Sequence, residues 1–254
     1  MSNEVTTEIR DQIMIITLNR PDAMNAVNQA LADQLASSLD DLDNNNAVSV
    51  GVLAGAGRGF CAGMDLKEFV VSGLPTASDR GFGGITERAS KKPLLCAVEG
   101  FALAGGLELA LSTDLIIASK GAKFGIPEVT VGLFAAAGAL LRLPRVLPYG
   151  RAMKMALTGE PITAEDAYQL GMVAELCEKG EALDTALDIA ARIAKNAPLG
   201  LIASKEMIRE MQGRTETEFW SNQQAQVDLV FNSEDGKEGA TAFAEKRAPN
   251  WKGS

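Results

Sequence analysis

The 254-residue chain contains no histidine. This absence excludes Ser-His-Asp and Cys-His catalysis, the H-E-x-x-H zinc motif and any histidine general base. Proton transfer must therefore fall to carboxylates, Lys, Tyr, Cys or bound water. Cysteine is also scarce, with Cys61, Cys96 and Cys177 far apart in the sequence. An odd number at wide spacing fits neither a disulfide framework nor a zinc site, and predicts small reduced core residues in a cytoplasmic protein.

The chain also has fewer basic than acidic residues. The chain has 24 Lys and Arg against 33 Asp and Glu, a net charge of −9. This balance argues against a nucleic-acid or anionic-membrane partner. No signal segment is expected, since "MSNEVTTEIR" is polar. The longest apolar stretch, 93–118, is interrupted by Glu99, Glu108 and Asp114 and does not read as membrane-spanning.

Strand and helix patterns alternate through the first two-thirds of the chain. We predict strands at 13–21, 48–55, 92–100 and 114–119, and helices at 28–45, "GGLELALS" and "AAAGALLRLPR". Residues 68–92 read as a mobile loop flanked by short helix. From about residue 183 only helical patterns remain. The fold class is therefore α/β, with a core at 1–195 and a C-terminal helical region at 196–254 that serves packing or assembly.

Two glycine-rich turns follow predicted strands, in "GRGFCAGMDL" (57–66) and "GFALAGGLELAL" (100–111). Flexible backbone at the start of a helix leaves amide N–H groups that can bind an anion or a developing oxyanion. Neither the phosphate-loop pattern nor the dinucleotide-binding pattern is met. The second turn also carries a glutamate, Glu108, in an apolar helix, and "FGIPEVTVG" (124–132) presents Glu128 after a proline.

Each of these features has a plainer interpretation. A lone glycine-rich turn more often serves packing only. Glu108 alone could be paired to Arg or Lys, and Glu128 alone could be a solvated loop acid. Both carboxylates together with both turns, in a chain without histidine, favour catalysis.

In combination these segments resemble the crotonase superfamily, and within it the enoyl-CoA hydratases. The likeness runs nearly end to end, through "LNRPDAMNAV" (18–27), "GRGFCAGMDLKEF" (57–69), "KKPLLCAVEGFALAGGLELALSTDLIIA" (91–118), "FGIPEVTVGL" (124–133), "LTGEPITAEDAYQLGMV" (157–173) and "EGATAFAEKRAPNWKG" (238–253). The resemblance implies a spiral of ββα turns followed by helices that assemble homotrimers, often stacked as hexamers. It also implies an acyl-CoA thioester substrate and no separate cofactor or metal, since CoA is part of the substrate.

The resemblance implies roles for residues at matching positions. The backbone N–H groups of Met64 and Gly105 would form an oxyanion hole for the thioester oxygen. Glu108 and Glu128 would be the catalytic pair, with ionised Glu108 activating water for C3 and protonated Glu128 supplying the proton at C2. The positions implied for CoA binding are Ala23, Ala62, Asp65 and Leu66, with Phe243 and Lys246 reaching the CoA of a neighbouring subunit. For "AFAEKR", an ordinary amphipathic helix is an equally weighted alternative.

The sequence departs from the family pattern at four places, the last of which concerns the substrate. Asp22 stands where a CoA-binding lysine is common, Ala104 replaces a glycine, and Ile126 replaces a glutamine before proline. The usual Ile-Pro-Gly-Ala-Gly after the second glutamate reads Phe134-Ala135-Ala136-Ala137-Gly138. Phe134 and Ala136 are expected to line an altered acyl pocket, with simple packing as the alternative.

The leading function is hydration of a 2-enoyl-CoA. Its nearest rival is another reaction of the superfamily, such as double-bond isomerisation or dehydration or racemisation of a carnitine-type acyl-CoA. A non-catalytic acyl-CoA binder is a third possibility. One-carboxylate isomerases need a single glutamate, and a binder has no use for two costly carboxylates, so both glutamates together favour the hydratase.

Overall fold

The computed structural model describes residues 3–254, and its core is a six-stranded sheet in the order β1-β2-β3-β4-β6-β9. Its β1 runs antiparallel to β2, and every other neighbouring pair is parallel. Parallel neighbours need crossover connections, which agrees with the alternation predicted from the sequence. The strands are β1 Val5–Arg10, β2 Ile13–Leu18, β3 Val50–Gly55, β4 Leu94–Val98, β6 Leu115–Ser119 and β9 Glu175–Cys177.

A second sheet of three short strands lies beside the first. It contains β5 (Phe101–Leu103), β7 (Lys123–Gly125) and β8 (Ile162–Thr163), in the order β5-β7-β8. Cys61 pairs with Ala102 through an isolated bridge, so the first glycine-rich turn is attached to this sheet next to the second. The two turns are therefore neighbours in space.

Ten α-helices complete the described chain. The predicted helix at 28–45 is α1, whose N-cap Asn28 accepts a hydrogen bond from the amide of Leu31 at 2.9 Å. Its leucines at 31, 35, 39 and 42 are fully buried, as the helical spacing predicts. The helices are α1 Gln29–Asn44, α2 Leu66–Ser72, α3 Gly105–Ala110, α4 Ala139–Val146, α5 Tyr149–Thr158, α6 Ala164–Gln169, α7 Ala182–Ala194, α8 Pro198–Glu210, α9 Glu216–Phe231 and α10 Glu234–Glu245.

The C-terminal part is helical, as predicted. In the described chain no strand follows β9, which ends at Cys177. α7 places Ala182, Ala186 and Ala190 against one face of the large sheet, in a small apolar cluster separate from the main core. α8 to α10 continue beyond this layer, and a division of the chain near residue 195 stays a prediction.

The glycine-containing segment predicted as a loop is well packed at its centre. Residues 80–86 are buried, and Arg80 is fully enclosed. Its guanidinium pairs with Asp40 at 2.7 Å and Asp43 at 3.5 Å, and donates to the carbonyl of Arg88. A buried charge is tolerable when it is paired in this way, so α1 anchors the loop.

Two further features of the described chain bear on expectations from its composition, namely the state of the cysteines and the length of its apolar helices. All three cysteines are free and buried, as predicted. None of the helices within residues 3–254 is long and apolar enough to cross a membrane.

Candidate active site

A cavity of about 450 Å³ brings together most of the residues predicted for the site. Its wall comes from both glycine-rich turns, the loop 66–87 and the segment 127–137. Of the residues named from the sequence, the lining includes Met64, Gly105, Glu108, Glu128, Ala62, Leu66, Phe134 and Ala136. Four segments distant in sequence therefore converge on one pocket.

The amides of Met64 and Gly105 both lie at this pocket. Val27 pairs with Met64 through the carbonyl of Gly63 and the amide of Asp65, so the Met64 N–H is not used in that pairing. Among the loop and cap hydrogen bonds of residues 3–254, neither the Met64 nor the Gly105 amide donates to a backbone carbonyl. A methyl group on Gly105 would lie 3.6 Å from the Met64 nitrogen, so the two donors are close neighbours.

The adjacent glycines of the second turn answer a packing requirement. A methyl group on Gly106 would lie 2.2 Å from the carbonyl oxygen of Cys61. On Gly105 it would lie 2.6 Å from the ring of Phe82. Glycine at 106 lets α3 lie directly on the first turn, and glycine at 105 leaves room for the ring of Phe82. This packing brings the Met64 and Gly105 amides to the same cavity.

Glu108 is held by the segment that departs from the family pattern. Its Oε1 accepts hydrogen bonds from the amides of Ala137 at 2.7 Å and Ala139 at 3.0 Å. Burial raises the pKa of Glu108 to about 7, and the two amides act in the opposite direction by favouring the ionised form. Because backbone amides bind the Glu108 carboxylate, the alanine side chains of this segment do not affect that binding.

Glu128 lies on a short 3₁₀ helix, Pro127–Val131. Its Oε2 is buried and has no hydrogen-bond partner in the described part of the chain. Burial also raises the pKa of this carboxyl. The negative charge of Glu128 further raises the pKa of Glu108, so the two groups interact electrostatically across the pocket. A half-buried carboxyl with one unpartnered oxygen favours the neutral form, which can donate a proton.

Arg142 supports the site, and sequence reasoning missed it. Its guanidinium donates to the carbonyls of Thr86 at 2.6 Å and Ala137 at 3.4 Å. It rests on Gly138, where a methyl group would lie 2.2 Å from its Nη1. Arg142 also lowers the pKa of Glu108 by its charge. In the sequence, the one indication of this contact is that Gly138 lies four residues before Arg142, a spacing that places both on the same side of a helix.

The remaining predicted residues lie outside the cavity lining. Asp65 caps α2 by accepting from the amides of Lys67 and Glu68, and pairs with Arg20 at 3.1 Å. Ala23 ends a 3₁₀ turn that leads toward the first glycine-rich turn. Phe243, at 88% exposed, and Lys246 lie at the end of α10 and do not line the pocket of their own chain.

Comparison with known proteins agrees with this architecture. The model for the family "Enoyl-CoA hydratase/isomerase" matches residues 8–254. The crystal structure of enoyl-CoA hydratase EchA1 from Mycobacterium marinum superposes with a TM-score of 0.97 at 51% identity, over 100% of both chains. The 2,3-dehydroadipyl-CoA hydratase of Escherichia coli (strain K12) is 37% identical over 99% of each chain. The carnitinyl-CoA dehydratase of Proteus mirabilis is 36% identical over 100% of each chain.

The fold and the pocket define a protein of the crotonase class, which confirms the fold predicted from the sequence. The chain belongs to the enoyl-CoA hydratase/isomerase family.

Proposed function

We propose that the protein is an enoyl-CoA hydratase, a lyase that reversibly adds water across the C2=C3 bond of a 2-enoyl-CoA. The observation that carries the proposal is the meeting of two carboxylates, the buried Glu108 and the half-buried Glu128, in one pocket with two unpaired amides. Such amides stabilise charge that develops on a thioester oxygen. The paired carboxylates supply the proton transfers that a chain without histidine needs.

In the proposed reaction the thioester oxygen accepts hydrogen bonds from the amides of Met64 and Gly105. This polarisation makes C3 electrophilic. Ionised Glu108 takes a proton from water while the water oxygen bonds to C3, and the electrons of the C2=C3 bond move into the enolate. Neutral Glu128 then gives its proton to C2. The pair starts and ends with one proton, so one proton exchange with solvent resets it.

Glu108 suits the role of base. Its Oε1 is occupied by the amides of Ala137 and Ala139, which leaves Oε2 for water. Those amides stabilise the carboxylate, while the unpartnered Oε2 of Glu128 suits a proton donor. Because the two groups interact, they titrate as a pair rather than singly.

The thioester is proposed to lie with its acyl chain between Phe134 and Ala136 and its CoA along the first turn. Ala62 and Leu66 line the pocket, and Ala23 and Asp65 flank it in sequence. Phe243 and Lys246 are proposed to reach the CoA of a neighbouring subunit. No cofactor beyond the CoA of the substrate takes part in the proposed steps.

Assembly into trimers or hexamers is part of the same proposal. No residue of α9 is fully buried, although the helix carries Trp220, Leu229 and Phe231 at more than half exposure. Large exposed apolar side chains on a C-terminal helix support an interface between copies of the chain. A cytoplasmic location, and no nucleic-acid or membrane partner, stay predictions from composition.

Isomerisation and dehydration of a carnitine-type thioester remain the closest rivals, and a relative is named carnitinyl-CoA dehydratase. Both glutamates in one pocket favour water addition over a one-carboxylate isomerisation. The unpartnered, buried Oε2 of Glu128 also argues against a protein that only binds acyl-CoA, since a buried oxygen without a hydrogen bond lowers stability.

The test is hydration of crotonyl-CoA in ¹⁸O-labelled water. We expect loss of the conjugated-enoyl absorbance and one ¹⁸O at C3 of the 3-hydroxybutyryl-CoA product. A shift of the double bond of 3-hexenoyl-CoA without ¹⁸O incorporation, with crotonyl-CoA left unchanged, would establish isomerisation instead. Binding of crotonyl-CoA with neither reaction would leave a binder.

A further inference from the structure

A second cavity, of about 470 Å³, is lined by α4, α8 and the segment 111–115. Within the described chain it shares no lining residue with the active-site pocket. Its volume falls in the range, roughly 300–1,000 Å³, of pockets that hold small organic ligands. The proposed hydration makes no use of this cavity.

Basic side chains are concentrated in this second cavity, although the whole chain has a net charge of −9. Within the described chain its lining holds one carboxylate, Asp114, and four basic residues, Arg142, Arg145, Lys205 and Arg209. The described lining of the active-site pocket, by contrast, contains carboxylates and no Lys or Arg. The local charge therefore directs an anion to the second cavity.

Asp114 is already matched by Lys205, whose Nζ lies 2.6 Å from its Oδ2. The same Nζ donates to Ser90 Oγ at 3.0 Å and to the carbonyl of Lys92 at 2.7 Å. An ammonium group has three donors, so Lys205 has none left for a ligand. Arg209 reaches the other oxygen of Asp114 at 3.3 Å. One carboxylate therefore faces two cations, which leaves one positive charge in excess.

The two arginines of α4 have no carboxylate partner within residues 3–254. Arg142 donates to two backbone carbonyls, and Arg145 donates to the side-chain oxygen of Gln212. Burial lowers the pKa of Arg142, and the charges of Arg209 and Arg145 lower it further, against the opposite effect of Glu108. Both arginines are thus near enough to repel Arg142, and a bound anion would relieve that repulsion.

The rest of the lining is mainly apolar. Leu111, Leu115 and Val146 are half-buried, whereas Leu141 and Ile208 are more than half exposed. Exposed apolar side chains around a cavity favour a ligand with an apolar body. Guanidinium groups bind carboxylate and phosphate oxygens through pairs of parallel hydrogen bonds. Together the two features fit an amphipathic anion.

We propose that this cavity is a second ligand site, which binds an organic anion that has a carboxylate or phosphate head group and an apolar body. The guanidinium groups of Arg145 and Arg209 hold the head group, and the side chains of Leu141 and Ile208 cover the body. The inference does not depend on the proposed hydration, since no side chain of this cavity takes part in its steps.

The test is calorimetric titration of the protein with octanoate, octyl phosphate and octan-1-ol. We expect an anion to bind about tenfold tighter than the alcohol, which has the same apolar body without the charge. Binding of one anion alone identifies the head group. Arg145→Met and Arg209→Met should each remove most of the difference, and Arg145 is exposed, so its loss does not endanger folding. Arg192→Met, at an exposed site on α7 outside the cavity, removes the same charge and should retain the difference.

Phe134→Ala distinguishes this cavity from the active-site pocket. Phe134 lines that pocket, so the Kd of the anion should not change in this variant. Loss of anion binding in Phe134→Ala but not in Arg209→Met would place the anion in the active site and overturn the inference. Equal Kd values for the alcohol and both anions in wild type would overturn it too. So would the absence of anion binding, which is expected if another copy of the chain covers the cavity.

Discussion

At the residue scale, Ala104 marks where the backbone of the site is strained. It has φ +50° and ψ −130°, a region that residues with a Cβ rarely occupy. The methyl group of Ala104 fits because the residue opposite it, Gly63, has no side chain. A Cβ atom on residue 63 would lie only 2.6 Å from the Cβ atom of Ala104. Gly63 therefore leaves space for the side chain of Ala104, which stands where the family pattern has glycine. The strain in the backbone of Ala104 is not relieved by this space.

Replacing Ala104 by glycine should stabilise the protein. Relief of strain at a positive φ contributes about 1–3 kcal/mol, against about 0.5–1 kcal/mol of extra chain entropy for glycine. We expect the free energy of unfolding in urea to rise by about 1 kcal/mol. Ala102→Gly, in an ordinary strand position that is fully buried, is the control and should destabilise. Lower stability of Ala104→Gly would show that the turn is not strained.

Residues differ in how far the sequence reveals them. Glu108 stands out in the sequence because a carboxylate within an apolar helix is costly. Glu128 stands out because it follows a proline in a second short, mainly apolar segment. The donors to Glu108 are the amides of Ala137 and Ala139. Any residue except proline offers such an amide, so residue identity carries no signal for it. Glu87, an exposed residue of the pocket lining, gives no signal either, because an exposed glutamate in a polar loop is ordinary until the pocket around it is known.

At the element scale, the segment before α4 connects the two sides of the pocket. Its Ala137 and the first residue of α4, Ala139, donate their amides to Glu108. Arg142, on the first turn of α4, donates to the carbonyls of Ala137 and Thr86 and so joins this segment to the one at Thr86.

The sequence predicted a helix over "AAAGALLRLPR" (135–145), whereas α4 begins at Ala139, because the amides of residues 137 and 139 bind Glu108 and Gly138 has a positive φ. The sequence did not predict how the segments converge, since that depends on contacts between segments more than 50 residues apart.

Arg142→Met should change the pH dependence of the reaction. The arginine lowers the pKa of Glu108, so its loss raises that pKa above about 7. Glu108 acts ionised, and activity is therefore lost as pH falls through its pKa. The acid limb of kcat/KM should move to higher pH, and kcat/KM at neutral pH should fall severalfold.

Arg145→Met is the matched control for that change. Arg145 lies on the same helix but is exposed and bonds Gln212 instead. Its loss should leave the acid limb in place. A fall in activity for Arg142→Met with an unmoved acid limb would reduce Arg142 to a role in stability only.

At the scale of the whole molecule, alternation of strands and helices was predictable because buried parallel strands are continuous apolar runs. The strand β1 escaped prediction. It lies at the sheet edge, and of its six residues only Val5 is buried. β1 is stabilised by its hydrogen bonds to β2 rather than by burial of its own side chains, so it has no apolar pattern in the sequence. The three short strands of the second sheet escaped for a similar reason, since two or three residues carry no periodicity.

The proposed assembly predicts that the protein sediments as three or six chains. Phe231→Asp and Leu229→Asp place charge on the exposed apolar side chains of α9 and should release monomers, because burying an unpaired carboxylate in an interface is costly. Asn46→Asp, an exposed site after α1, adds the same charge and should not. Sedimentation equilibrium measures the result, and a monomeric wild type would contradict the assembly.

The most direct test of the two-glutamate account is the rate of crotonyl-CoA hydration by wild type and by Glu108→Gln and Glu128→Gln, with thioester binding measured on the same samples. Each Gln keeps the shape of the side chain but cannot exchange a proton. The account predicts that either change lowers kcat by at least about 10³-fold while Kd changes little. Hydration that survives in either variant at more than about a tenth of the wild-type rate would contradict it.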